Sequence, residues 1–222
     1  MVTLSLAWTE AHLVRRVQQQ VSPPDGTSLS ASEYQGLLDL MGSDNGTELN
    51  ITSLYRSSVN GTTYDDLLDS VGDAEPLVFV IRKDKYVFGA FINCGLMLPD
   101  TPTGMHEYDC DLWWFSLTGH FDTPTKIDID REDEWVTVAG REGREGSARD
   151  RGSVRIGDWL ALGDDEHSDQ PAADIRSCAQ RIPSDYVPEG YTGKRDAGGH
   201  ARLGGSFKNY FMADEIEVLH VT

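Results

Sequence analysis

The hydrophobic residues of this chain fall mostly into short runs rather than long stripes. Leu77-Val-Phe-Val-Ile81 and Tyr86-Val-Phe-Gly-Ala-Phe-Ile92 flank a Lys83-Asp84 turn, and β-rich runs around a short charged turn predict a hairpin. Asp111-Leu-Trp-Trp-Phe-Ser-Leu117, after a Pro/Gly-rich loop, predicts a third strand, and Trp135-Val-Thr-Val-Ala139 a fourth. Ile51 to Tyr55 reads as another, shorter strand. Near the end of the chain, Val154 to Leu162 and Glu215 to Val221 alternate apolar and polar imperfectly, as half-buried strands do.

Helical spacing is confined to the first third. Residues 9–21 predict a short helix with Thr9 as N-cap and Leu13, Val14 and Val17 on one face, stopped by Ser22-Pro-Pro-Asp-Gly26. Ser30-Ala-Ser-Glu33 has the spacing of a capping box and opens a second helix running to Met41. Tyr34, Leu37, Leu38 and Met41 then share the face that packs on the main body. Gly42 to Gly46 makes a turn, and Tyr64 to Val71 predicts a helix with Leu67, Leu68 and Val71 inward. Many short strands, two or three helices and no regular β–α alternation predict an α+β, mainly β fold. The simplest architecture is an antiparallel two-sheet β-sandwich with flanking helices.

The 222 residues suffice for one substantial core, read as one domain behind an N-terminal extension. A content of 39% hydrophobic residues, with 7 Phe, 8 Tyr and 5 Trp, is that of a folded chain. The charge changes the picture more. With 37 acidic against 19 basic residues, the net charge of −18 repels phosphate backbones and anionic lipid, which argues against nucleic-acid and membrane partners. A basic patch on a protein partner complements such a surface; a solvated acidic surface without a partner is the alternative. No run approaches the roughly 18 apolar residues of a membrane span, so direct membrane insertion is not expected. Met1 to Trp8 are mildly apolar, but no basic segment precedes them and Glu10 follows, which argues against a secretory signal. The sequons at Asn45, Asn50 and Asn60 are then read as turn chemistry. Cys94, Cys110 and Cys178 are far apart and odd in number, which points to free thiols in a reducing compartment.

Candidate chemistry is sparse. The nearest approach to a Gly-x-Ser-x-Gly nucleophile elbow, Gly204-Gly-Ser-Phe-Lys208, fails at its final position. Gly140 to Gly152 has neither a Gly-Lys-Ser/Thr ending nor Gly-x-Gly-x-x-Gly spacing and reads as a charged surface loop. Gly163 to Asp169 is a second such loop. Asp128 to Glu134 starts like a calcium loop but has Asp133 where the glycine belongs, and no Cys-x-x-Cys or His-x-x-x-His pair exists for zinc. No metal or cofactor is therefore expected. His106 and His120 flank Cys110 and read as surface or structural histidines. The pairs Asp109 with Asp111 and Glu215 with Glu217 have a spacing that puts both members on one face of a strand, where glycosidase-type pairs could sit. In Glu215-Ile-Glu-Val218, however, the alternation turns Ile216 and Val218 inward and the glutamates outward. Among the thiols, Cys178 lies between Arg176 and Arg181 in a predicted loop and is the candidate for a reactive thiol, whereas Cys94 ends a hydrophobic strand as an inert one.

Several stretches, taken in order, resemble a TLDc domain. Leu54-Tyr-Arg-Ser-Ser-Val-Asn-Gly61, Pro76-Leu-Val-Phe-Val-Ile-Arg82 and Tyr86-Val-Phe-Gly-Ala-Phe91 are similar to its opening half. Asp111 to Leu117, with Lys126 after it, and Ile156-Gly-Asp-Trp-Leu-Ala-Leu162 resemble later segments. Leu203-Gly-Gly-Ser-Phe207 and Glu215-Ile-Glu-Val218 resemble its ending, and residues 28–41 resemble the helix that precedes it. Val59-Asn-Gly-Thr62 departs from the family's Arg-Asp-Gly-Phe element, and Leu67 stands where a Phe-His pair is usual. The resemblance implies residues 1–27 as an extension and 28–222 as a TLDc-like domain. It implies a non-catalytic interaction domain with roles in oxidative-stress protection and in binding and regulating the vacuolar proton-pumping ATPase, through its peripheral stalk, or another multi-subunit assembly. The implied setting is cytoplasmic, intracellular and open to association with an organelle. Gly89, Gly204, Gly205, Ser206 and Phe207 become structural motif positions, and Glu215, Glu217 and Asp158 candidates for surface recognition. The alternative reading is a thiol-dependent redox protein using Cys178.

Overall fold

The computed structural model describes residues 22–42, 49–142, 152–168, 170–205 and 208–222. The helix expected over residues 9–21 lies outside them, as do Ser206 and Phe207. Three α-helices are described, α1 (Ala31–Leu40), α2 (Ser57–Asn60) and α3 (Tyr64–Val71). The strands are β1 (Ile51–Arg56), β2 (Leu77–Lys83), β3 (Tyr86–Ile92), β4 (Met105–Asp109), β5 (Leu112–Thr118) and β6 (Thr125–Ile127). They continue with β7 (Trp135–Ala139), β8 (Val154–Ile156), β9 (Leu160–Leu162), β10 (Ser177–Gln180), β11 (Tyr210–Met212) and β12 (Glu215–Val221).

The strands form two antiparallel six-stranded sheets, the mainly β sandwich with flanking helices that the patterning predicts. The first has the order β1-β12-β2-β3-β5-β6 and the second β11-β10-β9-β8-β7-β4. The closing strand β12 is thus not an edge. It pairs with β1 on one side and β2 on the other, with Ile216 opposite Ile81 and Val218 between Phe79 and Tyr55.

One apolar core lies between the sheets. Phe79, Ile81, Phe88, Ile216 and Val218 of the first sheet meet Val136, Val154, Ile156 and Leu162 of the second. Leu67, Leu68 and Val71 of α3 join the same core. A second core covers the other face of the first sheet. Tyr34, Leu37 and Leu38 of α1 pack there on Val78, Val80, Phe115 and Leu219. β2 is therefore buried on both faces, which is why Leu77–Ile81 is a continuous apolar run rather than an alternation.

The capping box of α1 is formed as the sequence predicts, with Ser30 accepting from the Glu33 amide and Glu33 from the Ser30 amide. Other details differ. Val154 to Leu162 is not one strand but the hairpin β8–β9, because Gly157 adopts φ +57° and turns the chain. Cys178 lies on β10 rather than in a loop, held between β9 and β11. The Pro/Gly-rich region before β5 contains β4, which among the described residues is an edge strand paired with β7 alone. Asp109 ends β4 in the second sheet and Asp111 precedes β5 in the first, so the two do not form a same-face pair.

Candidate functional site

Two groups of polar side chains stand out. The first is on the α1-covered face of the first sheet. Glu217 is 0% exposed and accepts from the Ser28 amide at 2.8 Å, Ser28 Oγ at 2.5 Å and Ser53 Oγ at 2.7 Å. Glu215, two residues earlier on the same face, accepts from Ser57 Oγ at 2.6 Å, the Ser58 amide at 2.9 Å and Ser58 Oγ, and pairs with Arg56 at 3.1 Å. Arg82, opposite Glu215 in the register, forks onto Glu33 of α1 and donates to the Ser28 carbonyl. Burial pushes the Glu215 carboxyl up, but the hydrogen bonds from Ser57, Ser58 and Arg56 outweigh it and hold the group below its ordinary value. Glu33 behaves alike: burial raises it, and Arg82 and Ser30 bring it below the usual range. These carboxylates fasten the segment 26–33 and the β1–α2 junction to β12. The alternation did turn Glu215 and Glu217 away from the main core, but α1 and its leading residues cover that face, so neither is a surface-recognition residue.

The second group lines a cleft of about 480 Å³ at the end of the β2–β3 hairpin. Tyr86 begins β3, His120 follows β5, and the long loop between β10 and β11 supplies Tyr191, Lys194, Arg195 and Arg202. Tyr86 and His120 stack at 4.4 Å, and Tyr191 tilts against His120 at 5.1 Å. Lys85 lies over the Tyr86 ring and Arg195 over the Tyr191 ring. Four Lys and Arg side chains face one lining carboxylate, that of Asp196. The loop is braced by its own bonds. The Thr192 amide and hydroxyl both donate to the His120 carbonyl at 2.9 Å, and Tyr191 Oη donates to the Arg202 carbonyl at 2.9 Å. Arg202 reaches Asn209 and Asp196, which in turn accepts from the Gly198 and His200 amides. His120 is 7% exposed, and its Nε2 has no hydrogen-bond partner among the described residues. Burial, with Lys85 nearby, pushes its pKa down, so the ring is neutral at neutral pH.

Against known sequences, residues 25–127 match the profile of the TLDc domain. That segment is TLDc. No curated protein matches the chain at a significant level. The TLDc match takes in α1 to α3 and β1 to β6, and it stops before the second sheet is complete and before β12.

Gly89, inside the matched segment, and Gly204 and Gly205, beyond it, have physical reasons to be glycine. A Cβ on Gly89 would fall 1.8 Å from the Phe79 carbonyl oxygen across the β2–β3 pair. Gly205, at φ +68°, lets the Tyr86 ring lie where a Cβ would sit 2.1 Å from it. A Cβ on Gly204 would come 3.3 Å from the Phe211 ring, so that ring would have to give by a few tenths of an ångström. Asp158 lies half-buried in the β8–β9 turn, where its carbonyl accepts from Arg155.

Two readings of the cysteines are overturned. Cys178 is 0% exposed between Leu162 and Phe211 on the neighbouring strands, and burial pushes its thiol up strongly, away from the reactive thiolate. It lacks the exposure and the lowered pKa that a reactive thiol needs. Cys94 and Cys110 are not free thiols but a disulfide with Cα atoms 6.1 Å apart. Sequence spacing missed this because β4 returns the chain to the end of β3. The basic cleft was missed for a similar reason. Its signal, Lys194, Arg195 and Arg202 in one glycine-containing stretch of an acidic chain, becomes a site only when the fold adds Lys85, Tyr86 and His120.

Proposed function

We propose that this chain is a non-catalytic interaction domain of the TLDc type that docks onto a multi-subunit protein assembly. The vacuolar proton-pumping ATPase, at its peripheral stalk, is the assembly we name first, and protection against oxidative stress is the role that follows from it. The observation that carries this reading is the TLDc match over residues 25–127. Two further facts support it. Glu215 and Glu217, the carboxylates best placed for chemistry, are taken up in holding α1 and the β1–α2 junction to the sheet. The excess of 37 acidic over 19 basic residues suits a partner with a basic face.

The domain in this proposal runs to residue 222, since β12 is hydrogen-bonded between β1 and β2 of the matched segment. Among the described residues no helix is long and apolar enough to cross a membrane. A cytoplasmic setting belongs to the same proposal, and the Cys94–Cys110 bridge weighs against it, because disulfides persist mainly in oxidising compartments. The test is retention of the purified chain on isolated peripheral-stalk complex at low and at high salt. Retention that weakens as salt is raised is the expected result. No retention at low salt overturns the named partner, and retention indifferent to salt overturns the electrostatic docking.

A further inference from the structure

The cleft between Tyr86, His120 and the loop 191–202 is built for an anion on a protein that elsewhere repels anions. Four of the chain's 19 Lys and Arg line it, against a net charge of −18 for the whole molecule. Its guanidinium groups are positioned rather than loose. Arg202 is clamped by Asn209 and Asp196, and Arg195 is held over Tyr191 with one donor on the Gly199 carbonyl. Each retains further N–H groups in the planar fork that suits phosphate and carboxylate oxygens. The walls are aromatic, with the Tyr86 ring stacked on that of His120, which is more than nine-tenths buried. Gly119 and Gly205 both bring backbone against the Tyr86 ring, where a Cβ would come within 2.2 Å and 2.1 Å of it. The ring is thereby fixed in place beside the cations.

We infer that this cleft is a binding site for a small organic phosphate. The cationic excess over one carboxylate matches a phosphate monoester, which carries close to two negative charges at neutral pH, better than a lone carboxylate. A volume of about 480 Å³ exceeds what an isolated phosphate ion fills and falls in the range of small-molecule sites. A planar or sugar-sized body beside the phosphate therefore completes the fit, resting on the aromatic wall. The site is separate from the Glu215–Glu217 cluster and from any acidic docking face, so its test stands apart from the proposed protein partner.

Isothermal titration calorimetry on the full chain with ADP, pyrophosphate and uncharged adenosine decides the matter. Saturable binding of ADP, with adenosine silent, is expected. The double variant Lys85→Glu, Arg195→Glu should weaken ADP at least tenfold, the scale of losing charge-assisted contacts. Both residues are exposed, so the variant should keep the parent's circular dichroism and melting profile, which is checked in parallel. Lys126→Glu, at the β6 edge outside the cleft, should bind as the parent does. Pyrophosphate binding alongside ADP supports the reading, with phosphate alone sufficient for recognition. Saturation by neither phosphate, equal affinity in parent and double variant, or binding of an acidic peptide in place of both phosphates overturns it.

Discussion

Glu217 shows how much a single residue depends on what covers it. Its carboxylate has no exposed surface and accepts three hydrogen bonds, from the Ser28 amide, Ser28 Oγ and Ser53 Oγ. Replacing it with alanine would leave those partly buried donors without their acceptor and remove a fully buried side chain from the α1-covered face. Glu217→Ala should therefore destabilise the fold by about 2–4 kcal/mol, read as a lower urea midpoint with unchanged slope. A change within about 0.5 kcal/mol would mean that the site is hydrated and that its serines find water instead. The residue's identity as a buried anchor was not legible in the alternation of β12. That alternation separates two faces of a strand, and it places Glu215 and Glu217 opposite Ile216 and Val218, as found. It does not say whether the second face meets water or a helix. The capping box at Ser30 and Glu33 was legible because it is a purely local pattern, closed within four residues.

At the scale of elements, α1 is attached by apolar packing and by an ion pair together. Its apolar side, Tyr34, Leu37 and Leu38, rests on the first sheet, while its N-terminus is tied through Glu33 to Arg82. The β1–α2 junction is tied likewise through Arg56, Ser57 and Ser58 to Glu215. Both carboxyls sit below their ordinary values in the folded protein. The stability they supply is then fully present above the unfolded carboxylate range, near about pH 4.3, and is lost as pH falls through the lower folded values. Acid titration followed by tryptophan fluorescence should show stability falling through this window. Glu215→Gln should lower stability at neutral pH and flatten that dependence; a variant with the parent's full slope would remove Glu215 as a contributor. The elements themselves were mostly readable from sequence. α3, β3 and β7 fall where the pattern put them, because each either carries a helical stripe or is a strong β-forming run. β10, with the sequence Ser-Cys-Ala-Gln, has no such signal, and it is a strand because β9 and β11 give it partners.

For the whole molecule the dominant quantity is a net charge of −18, and it acts with opposite sign on folding and on association. In the folded state the excess carboxylates repel one another across the surface, so added salt should screen the repulsion and stabilise the fold. Salt also weakens the favourable pairs, but the exposed ones, such as Arg141 with Asp65 and Asp69 or Lys83 with Asp214, contribute little each. The partly buried Arg82–Glu33 and Arg56–Glu215 pairs are screened less than exposed ones. Repulsion therefore wins. Raising salt from about 10 mM to about 200 mM, which shortens the screening length from about 30 Å to under 10 Å, should raise the melting temperature by a few degrees. Docking onto a basic partner should weaken over the same interval. A melting temperature that falls with salt would mean that attractive pairs outweigh the net charge, and the acidic surface could no longer be treated as an unpaired field seeking a complement. A melting temperature that rises while partner binding falls separates the two effects, since loss of the complex could not then be ascribed to loss of the fold.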